Sequence, residues 1–301
     1  MVAPVVLFVY KRYEHTEKVL KSLNKNLLAE ESELFIFCDG ARAEKDKADV
    51  EKTREVVRNF ISNNSFKNVD VRFSEKNSGL ATSVINGVTE IINKYGNVIV
   101  LEDDLITTKD FLVYMNSALD FYKNNKKIWS ISGFSFFDPE TIDYPHDIYM
   151  GYRGCSWGWA TWKDRWDLVD WKVSDYNKFK INPFMRHKFT ISGNDMPGML
   201  DKQMKGFISS WAIRWCYQQN KLKMYTVFPK YTKIQNIGTD GSGTHSGNNH
   251  SYDVNLVEGT SCNFENLDTD KNVLKAYHAK FDLPLKNRIK AYIKCVIFSK
   301  K

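Results

Sequence analysis

The run Val98-Ile99-Val100-Leu101 is apolar on consecutive positions and ends in three acids, Glu102-Asp103-Asp104. Such a short, largely β-branched run suits a strand covered on both faces. Unpaired charge is too costly to bury, so the acids belong where the strand leaves its sheet. In open α/β sheets that place is the crevice that takes ligands. Three carboxylates repel one another unless a cation joins them. Hard oxygen ligands favour Mg²⁺ or Mn²⁺, which usually keep water and substrate phosphate as their other ligands. The alternative is a solvated acidic turn ahead of a helix that begins near Lys109.

The surrounding chain reads as alternating strands and helices. Pro4 to Tyr10 is a first buried strand, and Val19, Leu20 and Leu23 share one face of a following helix. Leu34 to Cys38 is a second strand, closed by Asp39-Gly40, and Val69 to Phe73 a third. Val50, Val57, Phe60 and Ile61 mark the helix between them. Leu80, Val84, Ile85, Val88, Ile91 and Ile92 keep a helical period that Gly96 stops. Phe111, Leu112, Met115, Leu119 and Tyr122 follow the acids at helical spacing, and Trp129 to Phe134 reads as another strand. The expected fold class is therefore α/β, an open, mostly parallel sheet with helices on both faces. Residues 1–135 form the nucleotide-binding type of half.

A chain of 301 residues can bury a large core. Five cysteines (38, 155, 216, 262 and 295) have no metal-ligand spacing and read as reduced thiols. No apolar stretch approaches the roughly 20 residues of a membrane span, and nothing near the N-terminus reads as a secretory signal. The expectation is a cytoplasmic protein. The net charge of +7 does not point to nucleic acid, because no basic cluster interleaves with aromatics in the sheet half.

Cys38-Asp39-Gly40 after a strand, Asn77-Ser78-Gly79-Leu80 opening a helix, and Glu102-Asp103-Asp104 together resemble a GT-A glycosyltransferase. Glu102-Asp103-Asp104-Leu105 with Asp110-Phe111, and the Gly158-Trp159 turn, are similar to the animal N-acetylglucosaminyltransferase I family. Three further runs resemble bacterial glycosyltransferase 2-like proteins of polysaccharide gene clusters, some described as haemolytic-protein-like. They are Gly158-Trp159-Ala160-Thr161-Trp162, Ser210-Trp211-Ala212-Ile213-Arg214-Trp215 and the segment from Asn236 to His245. The resemblance covers about residues 4 to 247 and implies a GT-A type sheet with an aromatic-rich acceptor lobe at 136–250 and a C-terminal extension at 251–301. It implies transfer from a nucleoside-diphosphate sugar, UDP-sugar favoured, to a glycan or lipid-linked acceptor, with Mn²⁺ or Mg²⁺ held by Asp104. Glu102 would act through water or toward the donor ribose, with Asp103 beside it. Asp39 would accept from the donor base. Lys11 and Arg12 would face the nucleotide or its phosphates, and Asn77 and Gly79 the donor.

The second half carries the acceptor side. Trp157 and Trp159 sit among Tyr152, Trp162, Trp166 and Trp171. Aromatic faces stack on sugar rings, although most of these tryptophans suit the core of a small helical lobe. Inversion needs a general base for the acceptor hydroxyl. The animal relatives place an Asp in the tryptophan-flanked segment, whereas Ser209 to Trp215 has no acid here. Between Thr141 and Val257 there is no Glu at all, so a base from this half must be an Asp, and Asp201 and Asp240 lie nearest to the segments that carry the resemblance. Gly238 to Ser251, rich in Gly, Ser, Thr and Asn, reads as a lid that would carry His245 toward the diphosphate.

At the C-terminus, Leu285, Ile289, Tyr292, Ile293 and Val296 fall on one face of a helix after Pro284. Lys286, Arg288, Lys290, Lys294, Lys300 and Lys301 supply charge without any acid. This pattern suits docking on an anionic membrane surface, or a terminal helix packed on the domain. Two other classes stay open: a nucleotidyltransferase, disfavoured because Tyr10-Lys11-Arg12-Tyr13 is not a Gly-rich loop, and a non-catalytic carbohydrate- or membrane-binding protein.

Overall fold

The computed structural model describes residues 2–137, 144–241, 254, 256–259 and 262–293. In its first half strands and helices alternate: β1 (Val5–Val9), α1 (Tyr13–Leu23), β2 (Glu33–Cys38), α2 (Lys47–Ile61), β3 (Asn68–Phe73), α3 (Leu80–Tyr95) and β4 (Asn97–Glu102). A short strand β5 (Leu105–Thr107), helix α4 (Phe111–Tyr122) and β6 (Ile128–Ser132) follow. The second half adds β7 (Ile148–Gly151), β8 (Trp159–Trp162), α5 (Lys163–Trp166), α6 (Tyr176–Ile181), α7 (Pro183–Lys188), α8 (Met196–Met204) and α9 (Trp211–Leu222). It continues with β9 (Tyr225–Pro229), β10 (Ile234–Asn236), α10 (Lys271–Phe281) and α11 (Leu285–Tyr292).

Eight strands form one sheet in the order β3-β2-β1-β4-β8-β6-β9-β7. The first four pair in parallel, β8 and β7 run against their neighbours, and β6 and β9 pair in parallel. Helices flank this mixed, mostly parallel sheet, which is the α/β class expected from the sequence. The two halves expected from the sequence therefore share one sheet.

Strand alternation sorts the core into two layers. Val5, Leu7 and Val9 of β1, with Ile99 and Leu101 of β4, face α1 and α4. Val6 and Phe8, with Val98 and Val100, face α3 and a group of tryptophans. Consecutive apolar residues are needed because both faces are covered. Helix α3 buries Ala81, Val84, Val88, Ile91 and Ile92 on one stripe. It ends where Gly96, at φ +83°, turns its N–H back to the Ile92 carbonyl at 2.8 Å, a left-handed turn that glycine adopts without strain.

The tryptophans depart from the expected small helical lobe. Trp159 and Trp162 lie on β8, which is inserted antiparallel between β4 and β6 in the middle of the sheet. Trp159 packs on Trp211 at 4.9 Å and on Trp166 at 5.9 Å, and Trp129 packs on Trp215 at 4.2 Å between ring centroids. Large rings fill the space between the sheet and α9 in place of aliphatic side chains. A separate small core of Tyr176, Phe179, Phe189, Leu200, Ile213 and Tyr217 holds α6 to α9 together.

Among the described residues no helix is long and apolar enough to cross a membrane. Cys38, Cys155, Cys216 and Cys262 are free thiols, and Cys295 lies outside the described residues.

Candidate functional site

The chain steps from β1 outward to β2 and β3, then returns past β1 to β4, so strand order reverses between β1 and β4. A crevice opens at such a reversal beyond the C-terminal ends of the strands. Phe8 of β1 is in register with Glu102 of β4. The residues that follow each strand, Tyr10 to Arg12 and Asp103 to Asp104, therefore meet across this point.

The meeting is made by Arg12. Its guanidinium donates to Asp103 Oδ1 and to Asp104 Oδ2, the latter at 2.9 Å. Burial works against the charge of Arg12, but the two aspartates more than offset it and raise its affinity for the proton. Asp103 also accepts from the Tyr10 backbone N–H at 3.4 Å. Burial pushes Asp104 above the ordinary carboxylate range while Arg12 pulls the other way.

Strand alternation aims Glu102 at the opposite face, the same one as Val98 and Val100. There the Trp211 indole donates to its carboxylate. Burial, then the charges of Asp104 and Asp103, push Glu102 up to about 8. Its protonated form is thus favoured in the fold. The stability this gives is full below the usual glutamate pKa and is lost as pH rises through about 8. In a chelator, melting temperature should fall between about pH 4.5 and about pH 8, and Glu102→Gln should flatten that fall. Parallel slopes for both proteins would show that Glu102 is not so placed.

A second strand pair closes the site from above. β10 pairs antiparallel with β5, matching Asn236 to Leu105. The next residue, Ile237, donates its N–H to the Asp104 carbonyl at 2.8 Å. Gly238 then lies directly on the ion pair: a Cβ there would come within 2.1 Å of Asp104 Oδ2 and 2.7 Å of Arg12 Nη1. Only glycine allows this approach. His15, on α1, reaches the same segment. Its Nε2 lies 3.2 Å from the Ile237 carbonyl and 3.1 Å from Asp240 Oδ2. Both partners are acceptors, so Nε2 carries the hydrogen.

The expected residues fall into three groups. Arg12, Asp103, Asp104 and Asp240 come together, with Glu102 alongside. His15 was missed by sequence reasoning. Its one signal was its place in the first turn of the helix that follows Lys11-Arg12. Lys11 points elsewhere, to Asp46 at 2.7 Å.

The second group, Asp39, Asn77 and Gly79, sits beyond β2. Asp39 accepts from the backbone N–H groups of Ser78 at 2.9 Å and Gly79 at 3.1 Å, satisfying the start of α3. Asn77 donates to the Gly40 carbonyl at 2.8 Å. These bonds tie the loops after β2 and β3 together along the edge of the crevice.

The third group takes no part in the ion-paired cluster. Trp159 is 1% exposed, so it offers no face to a sugar and is corrected to a core residue. Trp157 is half-buried and packs edge-on against Phe134 at 4.6 Å. Asp201 is 0% exposed and is held by Arg186 at 3.0 and 2.8 Å and by the Tyr176 hydroxyl at 3.1 Å. A fully enclosed carboxylate cannot reach an acceptor hydroxyl, so Asp201 is corrected to a structural anion of the helical lobe. His245, and the lid from residue 242 to Ser251, lie outside the described residues.

The donor set suits a hard divalent cation in kind. Asp104 and Asp103 lie close enough to Glu102 to raise its proton affinity, and one guanidinium compensates the two aspartates. Among the described residues no three His, Cys, Asp or Glu side chains gather around one point. A metal here would therefore take at most two protein ligands, Asp104 and Glu102, and complete its shell from phosphate and water, as Mg²⁺ commonly does.

The fold and crevice define an α/β protein with an acidic, arginine-bridged cluster at its strand reversal. Comparisons add little to that definition. No protein-family model matches the chain, and no curated protein matches it. Among solved structures it is similar to the crystal structure of S. aureus TarS, at 17% identity over 41% of this chain and 20% of that one, with a TM-score of 0.32. It is also similar to the structure of S. aureus TarS 1-349, at 15% identity over 42% of this chain and 34% of that one, with a TM-score of 0.30. Likenesses this partial carry no argument about function.

Proposed function

We propose that this chain is a glycosyltransferase. It moves a sugar from a nucleoside-diphosphate sugar, UDP-sugar favoured, to a glycan or lipid-linked acceptor, with inversion. One observation carries the reading: an arginine, three carboxylates, a histidine and a half-exposed aspartate are assembled at the strand reversal from three separate parts of the chain. The sequence resemblance supplies the reaction class. In this reading Arg12 and the acidic turn face the donor diphosphate. Asp240 takes the proton from the acceptor hydroxyl as that oxygen attacks the anomeric carbon and the diphosphate departs. His15 holds Asp240 in place by its Nε2–H. When bound by Asp104 and Glu102, Mn²⁺ or Mg²⁺ would neutralise charge on the leaving diphosphate.

Release of nucleoside diphosphate from a panel of sugar nucleotides tests the class. Donor binding without release would favour a binding protein, and release of pyrophosphate from nucleoside triphosphates a nucleotidyltransferase. Calorimetry with UDP tests the metal. Mn²⁺ should strengthen UDP binding by the wild type, and Asp104→Asn should abolish that gain while circular dichroism stays unchanged. Equal Mn²⁺ dependence in the variant would remove Asp104 from the metal role.

A further inference from the structure

The C-terminal helix and the corner between α6 and α7 form one basic, apolar surface. Tyr292 of α11 donates its hydroxyl to the Lys180 carbonyl at 3.3 Å, and the Arg186 guanidinium lies 4.8 Å from the centre of its ring. Ala291 approaches Gly198 of α8, where a Cβ would stand 3.9 Å away. Asn194 bonds the backbone of Leu283 and the side chain of Asp282, which anchors the start of the segment. Helix α11 is therefore docked on the lobe by one end of its apolar stripe.

The rest of that stripe is uncovered. Leu285 is 65% and Ile289 49% exposed. Ile289 lies less than one turn before Tyr292, so it borders the contact with Lys180. Ile181, the residue after Lys180, is 70% exposed, and Phe184 on the first turn of α7 is 63% exposed. Four large apolar side chains thus stand in solvent around a single helix-to-lobe contact. Apolar residues exposed singly need no explanation, but a grouped set rimmed by charge marks a docking surface.

The charge around them has one sign. Residues 176 to 193 contain Lys178, Lys180, Arg186, His187 and Lys188 and no acid, and residues 283 to 293 contain Lys286, Arg288 and Lys290 and no acid. The Lys188 ammonium lies 4.3 Å from the centre of the Phe184 ring. The nearest acids in sequence are engaged within the protein: Asp175 with Lys221 and Tyr217, Asp195 with Arg153, Asp201 with Arg186, and Asp282 with His278.

We infer that this two-part surface docks on an anionic lipid bilayer, with Ile181, Phe184, Leu285 and Ile289 entering the interface and the lysines meeting headgroups. Apolar side chains rimmed by cations, with no acid to repel the leaflet, match that occupant. The lobe shares the docking with the terminal helix. The inference does not rest on the transferase reading, because its readout needs no donor.

Co-sedimentation of the full chain with phosphatidylcholine vesicles, with and without phosphatidylglycerol, tests it. The wild type should bind only the anionic vesicles. Binding should collapse between about 0.1 M and about 1 M salt, where the screening length falls from about 10 Å to about 3 Å. Ile181→Ser/Phe184→Ser and Leu285→Ser/Ile289→Ser should each weaken binding about tenfold or more, with melting temperatures unchanged, since each removes two apolar side chains from the interface. Three results would overturn it. One is a wild type that ignores anionic vesicles. Another is undiminished binding by Ile181→Ser/Phe184→Ser, which would leave the terminal helix acting alone. The third is loss of concentration-dependent self-association in both variants with vesicle binding intact, which would make a second copy the occupant.

Discussion

Asp240→Asn should lower sugar transfer by about 10²–10⁴-fold while leaving UDP affinity within a factor of about two. Asparagine keeps the shape of the side chain and still accepts from His15 Nε2, so the segment after β10 stays anchored through the Ile237 carbonyl and His15. What it loses is the capacity to take a proton. The loss should therefore appear in turnover rather than in the donor KM, as expected of a group that acts on the acceptor. A matched His15→Gln variant should show a smaller loss, because it removes the group that orients the base but not the base itself. Steady-state kinetics with saturating donor and varied acceptor distinguish the two. Equal transfer by wild type and Asp240→Asn would end the assignment of Asp240 as base, whatever the donor site does.

Arg186→Met should cost about 3–5 kcal/mol of folding stability, the usual effect of stripping one partner from a buried ion pair. Asp201 has no route to solvent, and both its oxygens accept from Arg186. With methionine in place, only the Tyr176 hydroxyl remains to solvate a buried carboxylate. The double variant Arg186→Met/Asp201→Leu should recover much of the loss, because an apolar pair of similar volume carries no desolvation penalty. Equilibrium urea denaturation measures both. A loss below about 1 kcal/mol in the single variant would mean that the pair is solvated in solution. The comparison also separates the two aspartates named from sequence: substitution of Asp201 acts through stability, that of Asp240 through chemistry.

The parts of the fold that were legible share one property. Strands β1 and β4 are covered on both faces, so their sequences must be apolar at consecutive positions, and Val5 to Val9 and Val98 to Leu101 are. Helix α3 was legible from its period and from Gly96. Of the later strands only β6 was, read as Trp129 to Phe134. β8 is four residues with two tryptophans, and β5 and β10 are three residues each, too short for any period to show. Trp157 and Trp159 look alike in sequence, yet one is half-buried and the other enclosed. Which of them meets solvent depends on the layer of Trp166, Trp211 and Trp215 that packs over Trp159.

The sequence by itself determined that three acids end a buried strand and must stand at the rim of an open sheet, because charge cannot remain inside one. It also determined that a carboxylate base between Thr141 and Val257 would be an aspartate, since no glutamate is there. Only the tertiary structure decided which charges meet. Arg12 and Asp104 are 92 residues apart, and His15 and Ile237 are 222 apart. Their meeting depends on strand order reversing between β1 and β4 and on β10 pairing with β5. Those choices lower the energy of the whole sheet, so no local stretch of sequence displays them.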